Sequence, residues 1–188
     1  MSIPAITMSA LRQLGWSALL AGAASWAHAD DVAARQLVEF GDATVSLAWS
    51  PNWQLESTPH GKVPPGTVEV HAPDRLQMTT LLTPIGMPGL TADAAMQELV
   101  AKSSKQFEGQ AVEKEIKLQR ISSAEAHGYF VCVTDKAPKP DEYKFLCQGI
   151  VTVQELPISF TVLYNDGGKS DADRMLSALK TIQAAKQT

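Results

Sequence analysis

The chain has 188 residues, 45% of them apolar, which suits one domain with a buried core and argues against a disordered chain. Its 16 basic and 20 acidic residues leave a formal charge of −4, and no basic run stands ready to neutralise a row of phosphates. Nucleic acid is therefore not an expected partner.

The opening stretch reads as a targeting segment. Arg12 is the only charged residue before Asp30, and the Leu- and Ala-rich run after it closes on Ala27-His28-Ala29, with small residues either side of one variable position. This is the build of a secretory signal peptide over residues 1–29, with cleavage before Asp30. The run is shorter than the ~20 residues a span needs and is broken by Gly15, Gly22 and His28, so no stable membrane insertion is expected after cleavage. With no cysteine at the cleavage point, lipid attachment there is excluded. The expectation is a single mature domain over 30–188, periplasmic or secreted.

Asp30 to Gln36 is short and polar or small, a helical turn or a loose arm. Leu37 to Phe40 and Thr44 to Trp49 then flank Gly41-Asp42-Ala43, and Val45, Leu47 and Trp49 alternate onto one face, which predicts a hairpin. Trp49 and Trp53 bracket Pro51. Glu56 to Gly66, with three prolines and two glycines, predicts an exposed loop. Val68, Val70 and Ala72 alternate again, Ala72-Pro73-Asp74 turns the chain, and Leu76, Met78 and Leu82 complete a second hairpin.

After Gly89 the period becomes helical. Thr91 is placed to cap, Asp93 lies in the first turn, and Met96, Leu99, Val100 and Phe107 form one stripe until Gly109. Val112 to Ile121 predicts a strand with Val112, Ile116, Leu118 and Ile121 toward the core. Three antiparallel strands follow: Tyr129 to Asp135, Tyr143 to Val153 and Ile158 to Tyr164. The long middle one carries Tyr143, Phe145, Cys147 and Val151 on one face and Leu146 and Ile150 on the other, the pattern of a strand covered on both sides. A last helix opens near Ser170 and Asp173, which resemble a capping box, and carries Met175, Leu176, Leu179 and Ile182 on one stripe. The fold class is α+β, an antiparallel sheet flanked by two amphipathic helices.

Both cysteines lie in the meander. With the turn at 137–142 and Lys136 paired with Tyr143, Cys132 falls opposite Cys147, close enough for a disulfide, and an exported chain keeps such a bond. Neither cysteine belongs to a Cys-x-x-Cys or has a histidine at ligand spacing.

Catalytic patterns are sparse. Gly167-Gly168-Lys169-Ser170 before a helix fails as a phosphate loop, because the first glycine of that motif would fall at Leu163. There is no Gly-x-Ser-x-Gly, and the paired carboxylates Glu113 with Glu115 and Asp171 with Asp173 suit solvated faces. No cofactor and no metal set are expected. His60 and His71 could approach each other near Asp74, and only their convergence would favour the alternative of a small metal-dependent or hydrolytic enzyme. Trp49, Trp53, His60 and His71 are the candidate binding surface, since the proline-rich loop borders the two tryptophans.

The order of elements from Leu37 to Gln183, with Val45-Ser46-Leu47 running into Pro51-Asn52-Trp53, resembles the PsbP-like family of α/β/α sandwiches and, within it, the periplasmic DcrB-like proteins. The resemblance implies an accessory or adaptor protein and transfers no site residue. The functional expectation is an exported, non-enzymatic accessory or binding protein with a protein partner or small ligand. An immunity or adaptor protein for one secreted effector is the narrower alternative.

Overall fold

A computed structural model describes residues 34–57, 63–87 and 89–185. The expected signal peptide and His60 lie outside the described residues.

Ala34–Phe40 (β1) and Ala43–Trp49 (β2) form the first hairpin, joined through Gly41 at φ +62°, the left-handed conformation that a two-residue loop demands and glycine supplies without strain. Ala34 to Gln36 thus belong to a strand, where the sequence suggested a helical turn or a loose arm. Arg35 holds them there. Its guanidinium crosses β2 to Ser46 Oγ at 2.7 Å and to the Thr181 carbonyl at 3.0 Å.

Gln54–Ser57 (β3), Val68–His71 (β4) and Met78–Pro84 (β5) follow. Glu56 and Ser57 are therefore strand, not loop: they pair with Glu69 and Val68 of β4, a long-range contact without local pattern. The helix Asp93–Ser104 (α1) runs on through a 3-10 turn at Lys105–Phe107 and stops at Gly109, φ +83°. Its N-cap is Ala92, with no side-chain bond. Thr91 does not cap. Instead the helix start is held from the sheet: His127 Nε2 donates to the Thr91 carbonyl at 3.0 Å and the Tyr129 hydroxyl donates to Asp93 at 2.7 Å.

Of the strand expected over 112–121, only Gln119–Ser122 (β6) forms. Ile121 is buried as expected, but Val112 is 56% exposed: its amide donates to the Thr134 carbonyl at 2.8 Å beside a single Ala111–Asp135 bridge, and no strand continues from there. Glu113 still serves that end, accepting from the Thr134 amide at 2.9 Å and its hydroxyl at 2.7 Å. Burial alone would raise the Glu113 pKa, but these bonds outweigh it and hold the carboxyl below its ordinary value.

Ala126–Thr134 (β7), Phe145–Val153 (β8) and Leu156–Tyr164 (β9) make the expected meander. Cys132 faces Cys147 and the sulfurs are bonded, with the Cα atoms 4.0 Å apart. The spacing has a physical source. Asp135 donates its amide to the Lys144 carbonyl, so by alternation the Cys132 and Cys147 pair is a non-hydrogen-bonded one, the closer of the two antiparallel kinds. Tyr143 lies before β8 and turns to the face opposite its expected one, its hydroxyl 2.8 Å from the Arg75 carbonyl.

The final helix is Lys169–Lys180 (α2), with Gly168 as N-cap and Ser170 inside it, so the capping box does not form. A Cβ on Gly168 would lie 1.7 Å from the Gln77 carbonyl, so a tertiary contact decides where the helix starts. Asp173 pairs with Lys169 one turn back instead, at 2.7 Å. Gln183–Ala184 (β10), unforeseen in the sequence, pairs with β2.

The strands form two sheets where one was expected: β1-β2-β10, and a seven-stranded antiparallel sheet in the order β3-β4-β5-β9-β8-β7-β6. Strand alternation divides the core. Phe130, Val151, Phe160 and Val162 point to the front of the large sheet, where they meet Val45 and Leu47 of the small sheet and Met175 and Leu179 of α2. Val131, Leu146, Ile150 and Leu163 point to the back and meet Met96, Val100 and Phe107. Each such side chain contributes about 1.5–3 kcal/mol on leaving water. The helices accordingly pack on opposite faces, with the small sheet beside α2.

Candidate functional site

The two tryptophans are buried, 9% and 5% exposed, and meet edge to face with ring centroids 5.7 Å apart. Trp53 Nε1 donates to Asp171 Oδ1 at 2.9 Å, which ties the corner after β2 to the first turn of α2. Here the hairpin meets the helix and closes one end of the front core, so neither ring forms the wall of an open groove.

His71 lies on the other side of the large sheet. Val68, Val70 and Ala72 join the front core, so Glu69 and His71, alternating with them, point to the back. The pleat therefore separates His71 from both tryptophans, while His60, the fourth residue of the expected surface, lies outside the described residues. His71 is buried at 2% exposure. Its Nδ1 donates to the Ala72 carbonyl at 2.8 Å and its Nε2 lies 3.3 Å from Glu56. Asp74 caps its own turn by accepting from the Leu76 amide. Among the described residues no group of three or more His, Cys, Asp or Glu is placed to hold a metal ion.

What surrounds His71 is a charged cluster absent from the sequence expectations. Arg75 pairs with both Glu69 and Glu56. Burial pushes the Glu69 carboxyl up, opposed by the Arg75 charge, while the Arg75 hydrogen bond holds Glu56 below its ordinary value. Tyr143 caps the cluster and its burial raises its own hydroxyl pKa. With both carboxylates engaged by one guanidinium, the cluster fastens the 74–77 turn over β3 and β4. An acid within the apolar run Val68-Glu69-Val70 and an arginine just past the next turn were the signal available in the sequence.

An open concavity lies elsewhere. A cleft of about 670 Å³ is lined by Arg35, Leu37, Ser46, Gln183, Ala184 and Ala185 from the small sheet, with Glu125 and Gln154 from two turns of the large one. Its lining is mixed, with one cation, one carboxylate, two amides and the half-exposed Leu37, which suits a polar peptide surface better than an apolar small molecule. Its residues come from distant segments, so no local pattern announces it.

No protein-family model matches the chain and no curated protein matches it. Among solved structures, the solution structure of cyanobacterial PsbP (CyanoP) from Synechocystis sp. PCC 6803 aligns over 86% of this chain and 98% of its own, with a TM-score of 0.50 at 10% identity. The fold is PsbP-like. A crystal structure from Bacteroides thetaiotaomicron aligns over 76% of this chain and 46% of its own, with a TM-score of 0.37 at 9% identity. No helix among the described residues is long and apolar enough to cross a membrane.

Proposed function

We propose that this chain is an exported accessory protein that acts by binding a protein partner and carries out no chemistry of its own. The observation that carries the reading is the cystine Cys132–Cys147 set within a PsbP-like fold. A disulfide between neighbouring strands persists in an oxidising compartment and is reduced in a cytosol, which supports the signal peptide over 1–29 and a mature domain over 30–188. The outer face of the small sheet offers the partner its surface, through Arg35, Gln183 and the exposed Leu37.

Two measurements test this together. Fractionation with thiol alkylation is expected to find a chain beginning at Asp30 outside the cytoplasm, with both cysteines blocked until reduction. Cross-linking from Gln183→Cys or Ser46→Cys, followed by mass spectrometry, is expected to return one recurrent protein partner that is lost on charge reversal at Arg35. Free thiols in a cytoplasmic, uncleaved chain would overturn the export reading. Turnover of a substrate by the purified protein would overturn the binding one.

A further inference from the structure

The small sheet ends on an edge unlike the others. β1 runs seven residues, whereas the large sheet's edges β3 and β6 have four each and β10 has two. Short edge strands discourage pairing with other chains, as do prolines, bulges and charged side chains, lysine above all. β1, Ala-Arg-Gln-Leu-Val-Glu-Phe, has no proline, lysine or bulge, its two charges are of opposite sign, and it pairs with β2 in unbroken register.

The register shows which backbone groups face outward. The Ala185 amide donates to the Thr44 carbonyl at 3.0 Å, so Thr44 aims its backbone toward β10 and away from β1. Its partner Glu39 then aims its own N–H and C=O at the free edge, and with a period of two so do Leu37 and Arg35. The side chains of these three share the outer face, with Leu37 56% exposed, while Val38 and Phe40 face the core.

That edge is complementary to itself. We propose that the chain associates with a second copy of itself by antiparallel pairing of the two β1 strands about a two-fold axis at Leu37. Leu37 then faces Leu37, and Arg35 of each copy faces Glu39 of the other. The outward N–H and C=O groups of the three residues then pair across the seam, the Leu37 carbonyl in addition to the Gln36 side-chain amide from which it already accepts at 3.3 Å. A slip of one residue would set outward groups against inward ones, and a slip of two would place a charge opposite Leu37, so charge selects the register. Within its own chain the Arg35 guanidinium reaches the other way, over β2 to Ser46 and Thr181, so Arg35 and the second copy's Glu39 favour the register by opposite charge and not by a direct bond. The contact is isologous, closes at two copies and joins both small sheets into one. It shares Arg35 and Leu37 with the partner surface proposed above, and the mass of the purified chain alone tells the two apart.

Light scattering and sedimentation equilibrium on the purified full chain, from about 1 μM to about 1 mM, test it in the range where a small interface associates. The expected result is a concentration-dependent doubling of mass. Leu37→Pro removes an N–H that has no partner among the described residues, a position where an edge strand tolerates proline, and is expected to leave a monomer with an unchanged unfolding midpoint. Glu39→Lys sets like charges opposite each other and is expected to weaken the dimer roughly tenfold. On mild oxidation Leu37→Cys is expected to give a covalent dimer, while Ser46→Cys, one strand further in, gives none. A wild-type chain monomeric throughout, a dimer indifferent to Leu37→Pro and Glu39→Lys, or a Leu37→Cys chain that forms no more covalent dimer than Ser46→Cys would each overturn the proposal.

Discussion

Reducing the Cys132–Cys147 bond removes a cross-link without removing an atom of packing. The cysteines are 15 residues apart, and closing a loop of that size lowers the entropy of the unfolded chain by the equivalent of about 3 kcal/mol at 25 °C. For a domain of this length each kcal/mol moves the thermal midpoint by about 2–4 °C, so reduction is expected to lower it by about 6–12 °C. Urea unfolding of the oxidised and reduced forms, followed by tryptophan fluorescence, checks this directly. The reduced form is expected to show the larger urea slope, because its unfolded chain expands further. A Cys132→Ala, Cys147→Ala double variant is expected to lie somewhat lower still, since Cys147 is buried at 1% exposure and its loss leaves a small void. A stability difference under about 1 kcal/mol between fully oxidised and fully reduced protein would refute the reasoning and show that the hairpin is already closed in the denatured state.

Trp53→Phe keeps an edge-to-face ring contact with Trp49 but loses the bond to Asp171, and is expected to cost about 1–2 kcal/mol in urea unfolding. A double-mutant cycle with Asp171→Ala should assign most of that to the pair. Arg75→Met leaves Glu69 buried without its cation. The cost expected is about 1–3 kcal/mol, below that of a fully buried pair because the Arg75 side chain is 37% exposed. The folded-state pKa of Glu69 already lies above its unfolded value and rises further when the cation goes, so the folded chain binds the extra proton. The variant's stability deficit should therefore be smallest in acid, grow as pH rises past the wild-type folded pKa of Glu69, and level off above the variant's still higher one, as read from unfolding midpoints across pH. Gly149→Ala would put a Cβ 2.3 Å from the Tyr129 carbonyl and 2.4 Å from Phe130 Cβ, inside a ladder that cannot yield, with an expected loss of about 3 kcal/mol. Gly86→Ala, with open space around it, is the control and should stay near neutral in the same melt.

The sequence alone determined what depends on near neighbours. Alternation and helical period placed the strands of both hairpins, the three-strand meander and the two helices. The turn at 137–142 was enough to set Cys132 against Cys147, because once one pair across a hairpin is known the period of two dictates the rest. Tertiary structure decided what depends on distant segments. Thr91 and Ser170 are plausible caps locally, but His127, Tyr129 and the close approach of Gln77 to Gly168 set the helix starts instead. β3 and β10 are too short to declare themselves and exist because β4 and β2 offer open edges. The same holds for function. Trp53 and His71 seemed neighbours along the chain, yet the side-chain alternation of one sheet sends them to opposite faces, and only the packed fold brings Glu56, Glu69 and Arg75 around the histidine.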